Sequence, residues 1–499
     1  MLFSTLFFTY VFLPLLLLFY WLPAKRKPSL QLWVLTVFSL FFYAFGEPVY
    51  VFLMIALVGV NYLFGILCAG DGMSEPGTKK KLLLALDIAI NLGTLGFFKY
   101  LNFTIDNINA LFGTGLAQVS VVMPIGISFF TFQAMSYVID TYRGVTKVQR
   151  SYPKLLLYIS FFPQLIAGPI VRYQDIEFQI ENHSWSAGQI NEGAFRFTLG
   201  LVKKVLVADS CAAAAAAVYA AGKGTVVLAQ WFVVIFYALQ LYFDFSGYSD
   251  MAIGLGKIFG FDFPENFNYP FASKSVTEYW RRWHISLGTW FKDYLFYPVL
   301  NSRGVKKLTK SLIKKKKRKA AKIVPTVIAL LCVWTMTGLW HGAAWNYVLW
   351  GLYYFVLLTL DLVFLDEFKK KLSPGAEAVF SRATFLIATF FGMALFCFDP
   401  QTYKTGTFAN LGAIFGIGCD RFADIFTVSS ICNYAFLLVF AAVMSVPTVP
   451  FIWGRLKDRF GISPAAERIV KTVISAAFLI LATVRMAGST FSPFLYFRF

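Results

Sequence analysis

Long apolar stretches separated by short polar or charged segments recur along the whole chain. The first covers residues 2–22, close to the ~20 residues that a helix needs to cross a bilayer. No basic residue precedes this stretch and no small-residue cleavage site follows it. We therefore interpret it as a transmembrane helix and not as a cleaved signal peptide.

Twelve further apolar stretches follow, at residues 32–45, 49–67, 82–98, 124–139, 155–170, 195–208, 226–245, 324–339, 347–365, 383–398, 425–446 and 470–484. Several hold only about 15 residues, and the one at 155–170 contains two prolines, so we interpret the short ones as re-entrant or tilted segments. The pattern predicts an all-α polytopic membrane protein with roughly 10–12 spanning helices. No repeat of fixed period and no long linker is visible, which favours a single integral-membrane domain over residues 1–499.

The composition indicates the same class of protein. Hydrophobic residues make up 58% of the 499 residues, aromatic residues 19% and charged residues only 14%, which is too few polar side chains to cover a water-soluble globule. The six cysteines form no CxxC pair and mostly lie in apolar stretches. We interpret them as small hydrophobic residues, and we predict neither a metal site nor a disulfide framework.

The formal net charge is +19, and its distribution indicates how the chain is oriented. Residues 303–322 hold eleven basic residues and no acidic one directly before an apolar stretch, as is typical of a cytoplasmic loop. Basic residues also follow the first stretch at 25–27 and the third at 79–81. We therefore predict that the N-terminus lies outside and that 303–322 is cytoplasmic. A contact of this loop with anionic lipid or cofactor phosphate is the alternative interpretation, and nucleic-acid binding is not expected.

The chain has only three histidines: His183, His284 and His341. His341 lies in the apolar segment WTMTGLWHGAAW. An ionisable side chain is costly in such a segment, so its presence indicates a specific role. If this segment is one helix, Gly338 and Gly342 form a small-xxx-small pair for close packing. Thr337 and Trp345 would then lie one turn to either side of His341. The imidazole is either a structural group packed among indoles or a general base at the end of a cavity.

His284 lies in the segment YWRRWHISLGTWFKDY, whose spacing predicts an amphipathic cationic helix. One face would carry Trp280, His284 and Leu287. The other faces would carry Arg281, Trp283 and Lys292. Such a helix either lies at the membrane interface, with its arginines on phosphates, or forms the wall of a site.

Other polar residues within apolar stretches need a partner. An unpaired carboxylate at the centre of a span costs ~2.5–3.5 kcal/mol, so we expect Asp244 and Asp250, at the end of an apolar span together with two serines, to face a partner or a wet cavity. Asp87 and Asn91 are one turn apart, which favours an interhelical hydrogen bond. His183 lies in a polar segment and is interpreted as a solvated loop residue.

Seven motifs together resemble the membrane-bound O-acyltransferase family, in the bacterial polysaccharide branch typified by alginate O-acetyltransferase. They occur in family order over most of the chain, and jointly they are far more specific than any one of them. They are PIGISFFTFQ (124–133) with YVIDTYRG (137–144), FFPQLIAGP (161–169), YFDFSGYSD (242–250), PENFNYP (264–270), YWRRWHISLGTWFKDY (279–294) and GLWHG (338–342). The C-terminal PFLYFRF (493–499) is also similar to that branch, whereas KDYLFYPVLNSR (292–303) departs from its usual pattern.

The resemblance implies a ring of tilted helices around a central pore or funnel, with the catalytic motifs between residues 119 and 345. His341 matches the catalytic histidine of the family, and His284 matches its second, supporting histidine. No metal ion is expected. The residues expected at the donor site or tunnel are Arg281, Arg282, Trp283, Lys292, Asp244, Trp340 and Trp345.

The same resemblance implies transfer of an acyl group, in the first place acetyl, to a hydroxyl of an exported cell-surface polysaccharide or of an extracytoplasmic partner such as an SGNH-like acetyltransferase. The co-substrate would be cytoplasmic acetyl-CoA or another acyl thioester, with no tightly bound cofactor. The expected location is the bacterial plasma (inner) membrane, in contact with its lipids. Moving the acyl group alone avoids moving either large polar molecule across the bilayer.

Two alternative functions remain open at this point. The near relative of this branch transfers D-alanine to teichoic acid, and the same fold would serve that reaction. A transporter or channel would also have many spans and intramembrane polar residues. The absence of repeat symmetry in the sequence argues against the transporter.

The predicted topology can be tested at Lys315, near the middle of the basic segment. In intact cells a Lys315→Cys variant should not react with a membrane-impermeant thiol reagent, and it should react after permeabilisation, because the segment is cytoplasmic. Labelling of this cysteine in intact cells would overturn the topology.

Overall fold

We describe a computed structural model of the chain in which residues 1–21, 28–70, 77–399, 403, 406–488 and 494–495 are defined. These residues are mostly helical, and β pairing among them is limited to one isolated bridge between Val226 and Arg421. The all-α polytopic prediction is therefore confirmed. The basic residues at 25–27 and most of the C-terminal motif 493–499 lie outside the described residues.

The helices, in chain order, are Phe8–Trp21, Pro28–Ala44, Tyr50–Cys68, Thr78–Phe112, Ile127–Arg143, Tyr152–Ser160, Phe162–Leu165, Tyr173–Glu181, Ala187–Gly222, Val227–Ile258, Val276–Arg282, Ile285–Phe291, Tyr297–Leu300, Arg303–Lys314, Arg318–His341, Trp345–Lys369, Pro374–Cys397, Thr407–Ile414, Ile425–Asn433, Ala435–Met444, Thr448–Phe460 and Pro464–Ala487. They form two compact units. The first unit comprises Met1–Val205, Phe245–Glu265 and Pro464–Arg498, and the second comprises Leu206–Asp244 and Asn266–Ser463.

Eight helices in the described part of the chain are long and apolar enough to cross a membrane, and a ninth span results if Ile425–Asn433 and Ala435–Met444, bent by 51°, are one broken span. This count is below the predicted ten to twelve, partly because Phe8–Trp21 and Pro28–Ala44 are shorter apolar helices. The stretch at 155–170 is also not one helix. Its helix ends at Ser160, and a second, short helix begins with Pro163 in its first turn, where the missing N–H of proline is tolerated.

The central helix of the first unit is Ile127–Arg143, in which every residue from Ile127 to Thr141 is buried. A helix that is buried around its whole circumference belongs in a core and not on a surface. Gly65 of the neighbouring helix lies against the Tyr137 ring so closely that a Cβ there would come within 2.6 Å of it. The first unit is thus packed around a helix that carries two of the sequence motifs.

Some polar residues of the first unit are paired as predicted. The side chains of Asn61 and Asn91 exchange two hydrogen bonds of 3.1 Å between neighbouring helices, which confirms the interhelical interpretation for Asn91. Asp250 accepts hydrogen bonds from Arg196 at 2.9 Å and from Lys203 at 2.6 Å, so this carboxylate has cationic partners.

Two positional predictions were wrong. Asp244 and Asp250 lie inside the long helix Val227–Ile258 and not at its end, because the helix continues beyond the apolar stretch. His183 is not a solvated loop residue, since it is only 8% exposed and its Nε2 is 2.7 Å from the Tyr20 hydroxyl. Burial lowers the pKa of His183 to about 4, which keeps its imidazole neutral at physiological pH.

In the second unit, Arg318–His341 packs as a hairpin against the helix that begins at Trp345. A Cβ at Gly338 would lie 2.4 Å from the Tyr347 carbonyl oxygen, and a Cβ at Gly351 would lie 2.3 Å from the Trp334 carbonyl oxygen. Glycine at both positions therefore lets the two backbones touch. The predicted partner of Gly338 was Gly342, which instead follows the end of the helix; the glycine across the interface is Gly351.

The basic segment 303–322 is largely helical and not a loop. Residues Arg303–Lys314 form a helix whose first turn is capped by the Ser302 hydroxyl, which accepts a hydrogen bond from the Val305 N–H. A short turn at 315–317 then leads into Arg318–His341. Long lysine and arginine side chains are good helix formers, so a high charge density does not prevent a helix here.

Candidate active site

The segment around His284 is two short helices and not the single helix predicted from its spacing. Val276–Arg282 ends at Trp283, which has extended backbone angles, and His284 is in the left-handed region with a φ of 46° before Ile285–Phe291 begins. Left-handed backbone is costly for a residue other than glycine, so the surroundings must hold it in place. The Ile285 N–H donates to the Asn266 carbonyl at 2.9 Å, a bond that replaces one a continuous helix would make.

The side chain of Asn266 holds the imidazole of His284. Its Oδ1 lies 3.0 Å from His284 Nδ1, and it accepts hydrogen bonds from the Ser286 hydroxyl at 2.8 Å and from the Ser286 backbone N–H at 3.3 Å. A backbone N–H can only donate, so the Asn266 atom is the oxygen, and Nδ1 of His284 must carry the proton. The basic nitrogen of the neutral ring is therefore Nε2.

The electrostatic environment keeps His284 uncharged. Burial lowers the pKa of this imidazole well below its usual value, and the neighbouring His341 lowers it further. A neutral imidazole with a defined tautomer can accept a proton at physiological pH. His284 therefore has the protonation state required of a base or of a hydrogen-bond acceptor.

His341 is the last residue of the helix Arg318–His341, after which Gly342 turns into extended backbone. Its side chain is 7% exposed, and its ring makes edge contacts with Trp350 at 5.0 Å and with Phe396 at 5.2 Å between ring centroids. Trp345 begins the next helix and is 58% exposed, so its predicted position one turn from His341 on the same helix was wrong. The aromatic rings hold the position of the imidazole while leaving it at a helix end.

Both histidines line one cavity of about 450 Å³. Its wall is mainly aromatic and aliphatic, and its cationic residues are Arg281 and Lys292, both exposed. The other lining residues are Trp280, Trp283, Ile285, Leu287, Gly288, Thr289, Phe291, Phe296, Leu330, Val333, Trp334 and Thr337. The cavity thus combines two buried imidazoles with two accessible positive charges.

The structure brings some of the predicted donor-site residues together and separates others. Trp283 lines the cavity with Arg281 and Lys292. Trp340 is buried beside both imidazoles, with ring centroids 5.8 Å from His284 and 5.0 Å from His341, but it does not line the cavity. The remaining three, Arg282, Asp244 and Trp345, are not part of the lining.

Arg282 and Asp244 have other surroundings. Arg282 forms an ion pair of 2.8 Å with Glu278 one turn earlier on its helix and also donates to the Asn268 carbonyl. Asp244 is buried, with 2% of its surface exposed, within Val227–Ile258. Arg282 therefore braces the segment that carries His284, whereas its neighbour Arg281 faces the cavity.

Two features of the site were not assigned from the sequence. Asn266 belongs to the quoted motif PENFNYP, but no local spacing relates it to a histidine 18 residues later. Thr337 was placed on the face of His341 without a role, and it lines the cavity. Within the described ranges, no group of three or more His, Cys, Asp or Glu side chains is arranged to hold a metal ion.

Comparisons of the sequence with known proteins identify the family of the chain. A sequence model of the membrane-bound O-acyltransferase family matches residues 146–398, a range that includes every residue of the cavity wall. The chain is 39% identical over 365 residues to a probable alginate O-acetylase of Pseudomonas syringae pv. tomato, a match that covers 72% of this chain and 66% of that protein.

Two further relatives extend the comparison. A probable alginate O-acetylase of Pseudomonas putida is 32% identical over 516 aligned positions that cover 100% of both proteins. A peptidoglycan O-acetyltransferase of Helicobacter pylori is 34% identical over 400 positions, covering 74% of this chain and 72% of that protein. The family match and the end-to-end similarity lead to one conclusion: the chain belongs to the membrane-bound O-acyltransferase family.

Proposed function

We propose that this protein transfers an acetyl group from a thioester donor on the cytoplasmic side to a hydroxyl of an exported polysaccharide, or of an extracytoplasmic partner protein, in the bacterial inner membrane. The observation that carries the proposal is the cavity that presents His284 and His341 together with two cations. The names of the relatives, alginate O-acetylase and peptidoglycan O-acetyltransferase, support acetyl as the group and a glycan as the acceptor.

His341 acts as the general base in this proposal. The acceptor hydroxyl oxygen attacks the thioester carbonyl carbon as its proton passes to the imidazole of His341, and an ester bond forms. The carbon–sulfur bond breaks, and the leaving thiolate takes the proton from the imidazolium, which restores the neutral base. No nucleophilic residue of the chain is required, since the acceptor itself attacks.

His284 supports the reaction as a second neutral imidazole in the cavity. Because Asn266 holds its Nδ1–H, only Nε2 is available to accept a hydrogen bond from the acceptor or from the thiol. The apolar wall excludes water, which protects the thioester from hydrolysis and strengthens electrostatic interactions inside the cavity. Arg281 and Lys292 bind the phosphate groups of a coenzyme A or acyl-carrier donor.

The general-base role is tested by His341→Ala, assayed by radiolabel transfer from acetyl-CoA to the glycan fraction of membranes. Loss of a general base should lower the rate by ~10²–10⁴, with the protein still present in the membrane at normal yield. His183→Gln is the matched control, because this histidine lies in the first unit and does not line the cavity. Near-normal transfer by a well-expressed His341→Ala protein would refute the mechanism.

Transfer of D-alanine in place of acetyl would identify the teichoic acid alternative.

The role of Asn266 is tested by the pH dependence of kcat in Asn266→Asp. The carboxylate keeps an oxygen near His284 Nδ1 but adds a negative charge, which raises the pKa of the imidazole. In the wild type that pKa lies well below its usual value, so His284 stays neutral until the solution is distinctly acidic. As the pH is lowered, the activity of the variant should begin to fall at a higher pH than the activity of the wild type. Asn266→Ala should lower kcat without shifting the pH profile. Superimposable pH profiles for Asn266→Asp and the wild type would contradict the role proposed for Asn266.

Donor binding is tested by comparing two adjacent arginines. An exposed charge contact contributes ~1 kcal/mol, about fivefold in affinity, so Arg281→Gln should raise KM for acetyl-CoA about fivefold with little effect on thermal stability. Arg282→Gln loses the Glu278 pair outside the cavity and should lower the melting temperature while leaving KM unchanged. Equal KM changes in the two variants would show that only the general positive charge matters.

A further inference from the structure

The helix Arg303–Lys314 separates its charged and apolar residues onto two sides. At 3.6 residues per turn, Arg303, Lys306, Lys307, Lys310 and Lys314 fall within about 100° of arc around the helix axis. The opposite side carries the apolar residues Val305, Leu308 and Leu312, whereas Ile313 lies only about 20° from Lys306 around the axis. All five basic side chains are exposed, and none of them lines the cavity described above.

The apolar side is only partly covered by the rest of the second unit. Val305 is 8% exposed and faces the protein. Leu308 and Ile313 are 38% and 56% exposed. The helix therefore presents the exposed Ile313 directly beside a row of positive charges, the arrangement found in helices that lie along a membrane interface.

The positive charge of this helix is not neutralised within the part of the chain that the structure describes. No ion pair there involves any of its five basic residues. Basic residues continue through the following turn and into the first turn of Arg318–His341, where Lys319 is paired with Glu367 at 3.0 Å. A surface with this much unpaired positive charge fits a partner with several closely spaced negative charges.

We propose that Arg303–Lys314 is an anionic-phospholipid binding surface. It lies in the interface of the cytoplasmic leaflet, with Ile313 at the boundary of the acyl chains and the five basic side chains on lipid phosphates. A donor phosphate is the other source of the same chemistry. The lipid surface accounts for two features that a soluble phosphate does not: a row of charges ~17 Å long, from the ~1.5 Å rise per residue between Arg303 and Lys314, and an exposed apolar residue, Ile313, beside it.

This position has a consequence for the cavity. The segment between the cavity and the helix is short, because Phe296 lines the cavity and the helix begins at Arg303. Lipid bound to the helix thus restrains the cavity wall that carries Lys292. The surface itself does not depend on the proposed acetyl transfer.

The experiment measures binding of acyl-chain-labelled phosphatidylglycerol and phosphatidylcholine to the purified full-length protein in neutral detergent, by fluorescence anisotropy. Lys306→Gln/Lys310→Gln/Lys314→Gln should weaken phosphatidylglycerol binding by about tenfold or more and leave phosphatidylcholine binding unchanged. Lys306→Arg/Lys310→Arg/Lys314→Arg keeps the charges and is the matched control, with binding expected to equal that of the wild type. The single variant Lys310→Glu provides the same test with less perturbation if the triple variant is poorly folded.

Two outcomes would overturn the proposal. One is unchanged phosphatidylglycerol binding in the glutamine variant and in Lys310→Glu. The other is a glutamine variant that binds acetyl-CoA more weakly in the same detergent while its phosphatidylglycerol binding is intact. That result would assign the positive charges to binding of the donor. Neither readout uses acyl transfer, so failure of the proposed enzymatic function would leave this result interpretable.

Discussion

The three hydrogen bonds accepted by the Asn266 side-chain oxygen are the interaction on which the candidate site depends. They join a loop residue to the start of Ile285–Phe291, and they allow His284 to adopt a left-handed backbone conformation that would otherwise cost ~1–3 kcal/mol. The same oxygen determines which nitrogen of the imidazole carries the proton. One amide group thus fixes a backbone turn, a ring orientation and a tautomer together, so that chemistry at the cavity rests on a residue that does not line it.

Elsewhere in the chain, some polar groups within apolar helices are stabilised by pairing. The Asn61–Asn91 amide pair and the Asp250 carboxylate with Arg196 and Lys203 follow this rule. The energetic reason is the cost of an unsatisfied polar group away from water, which exceeds what the hydrogen bond contributes by itself. These pairs hold the first unit together, whereas the two histidines of the second unit are kept accessible to a cavity.

Much of this architecture was predictable from the sequence because its signals are local. Apolar length indicated the helices, and the rarity of ionisable residues in apolar segments was enough to single out His341. Contacts made by residues distant in the chain were not predictable. Spacing alone indicated one helix through His284, because the bonds from Asn266 that break it come from a loop. Spacing also could not show that Arg281 faces the cavity whereas Arg282 pairs with Glu278, because the two adjacent arginines fit the same sequence pattern.

The contact between Gly338 and Gly351 makes the two walls of the cavity mechanically different. The wall formed by Leu330, Val333 and Thr337 lies on a helix whose backbone already touches its neighbour, so it has no room to move outward. The facing wall, residues 285–296, belongs to a short α-helix that continues as a π-helix over Lys292–Phe296, with exposed positions at Gly288 and Lys292. In the proposed reaction, adaptation to a larger acyl group or a different acceptor would therefore arise through sequence change in 285–296, while the wall that ends in His341 would serve as the fixed reference for the reacting atoms.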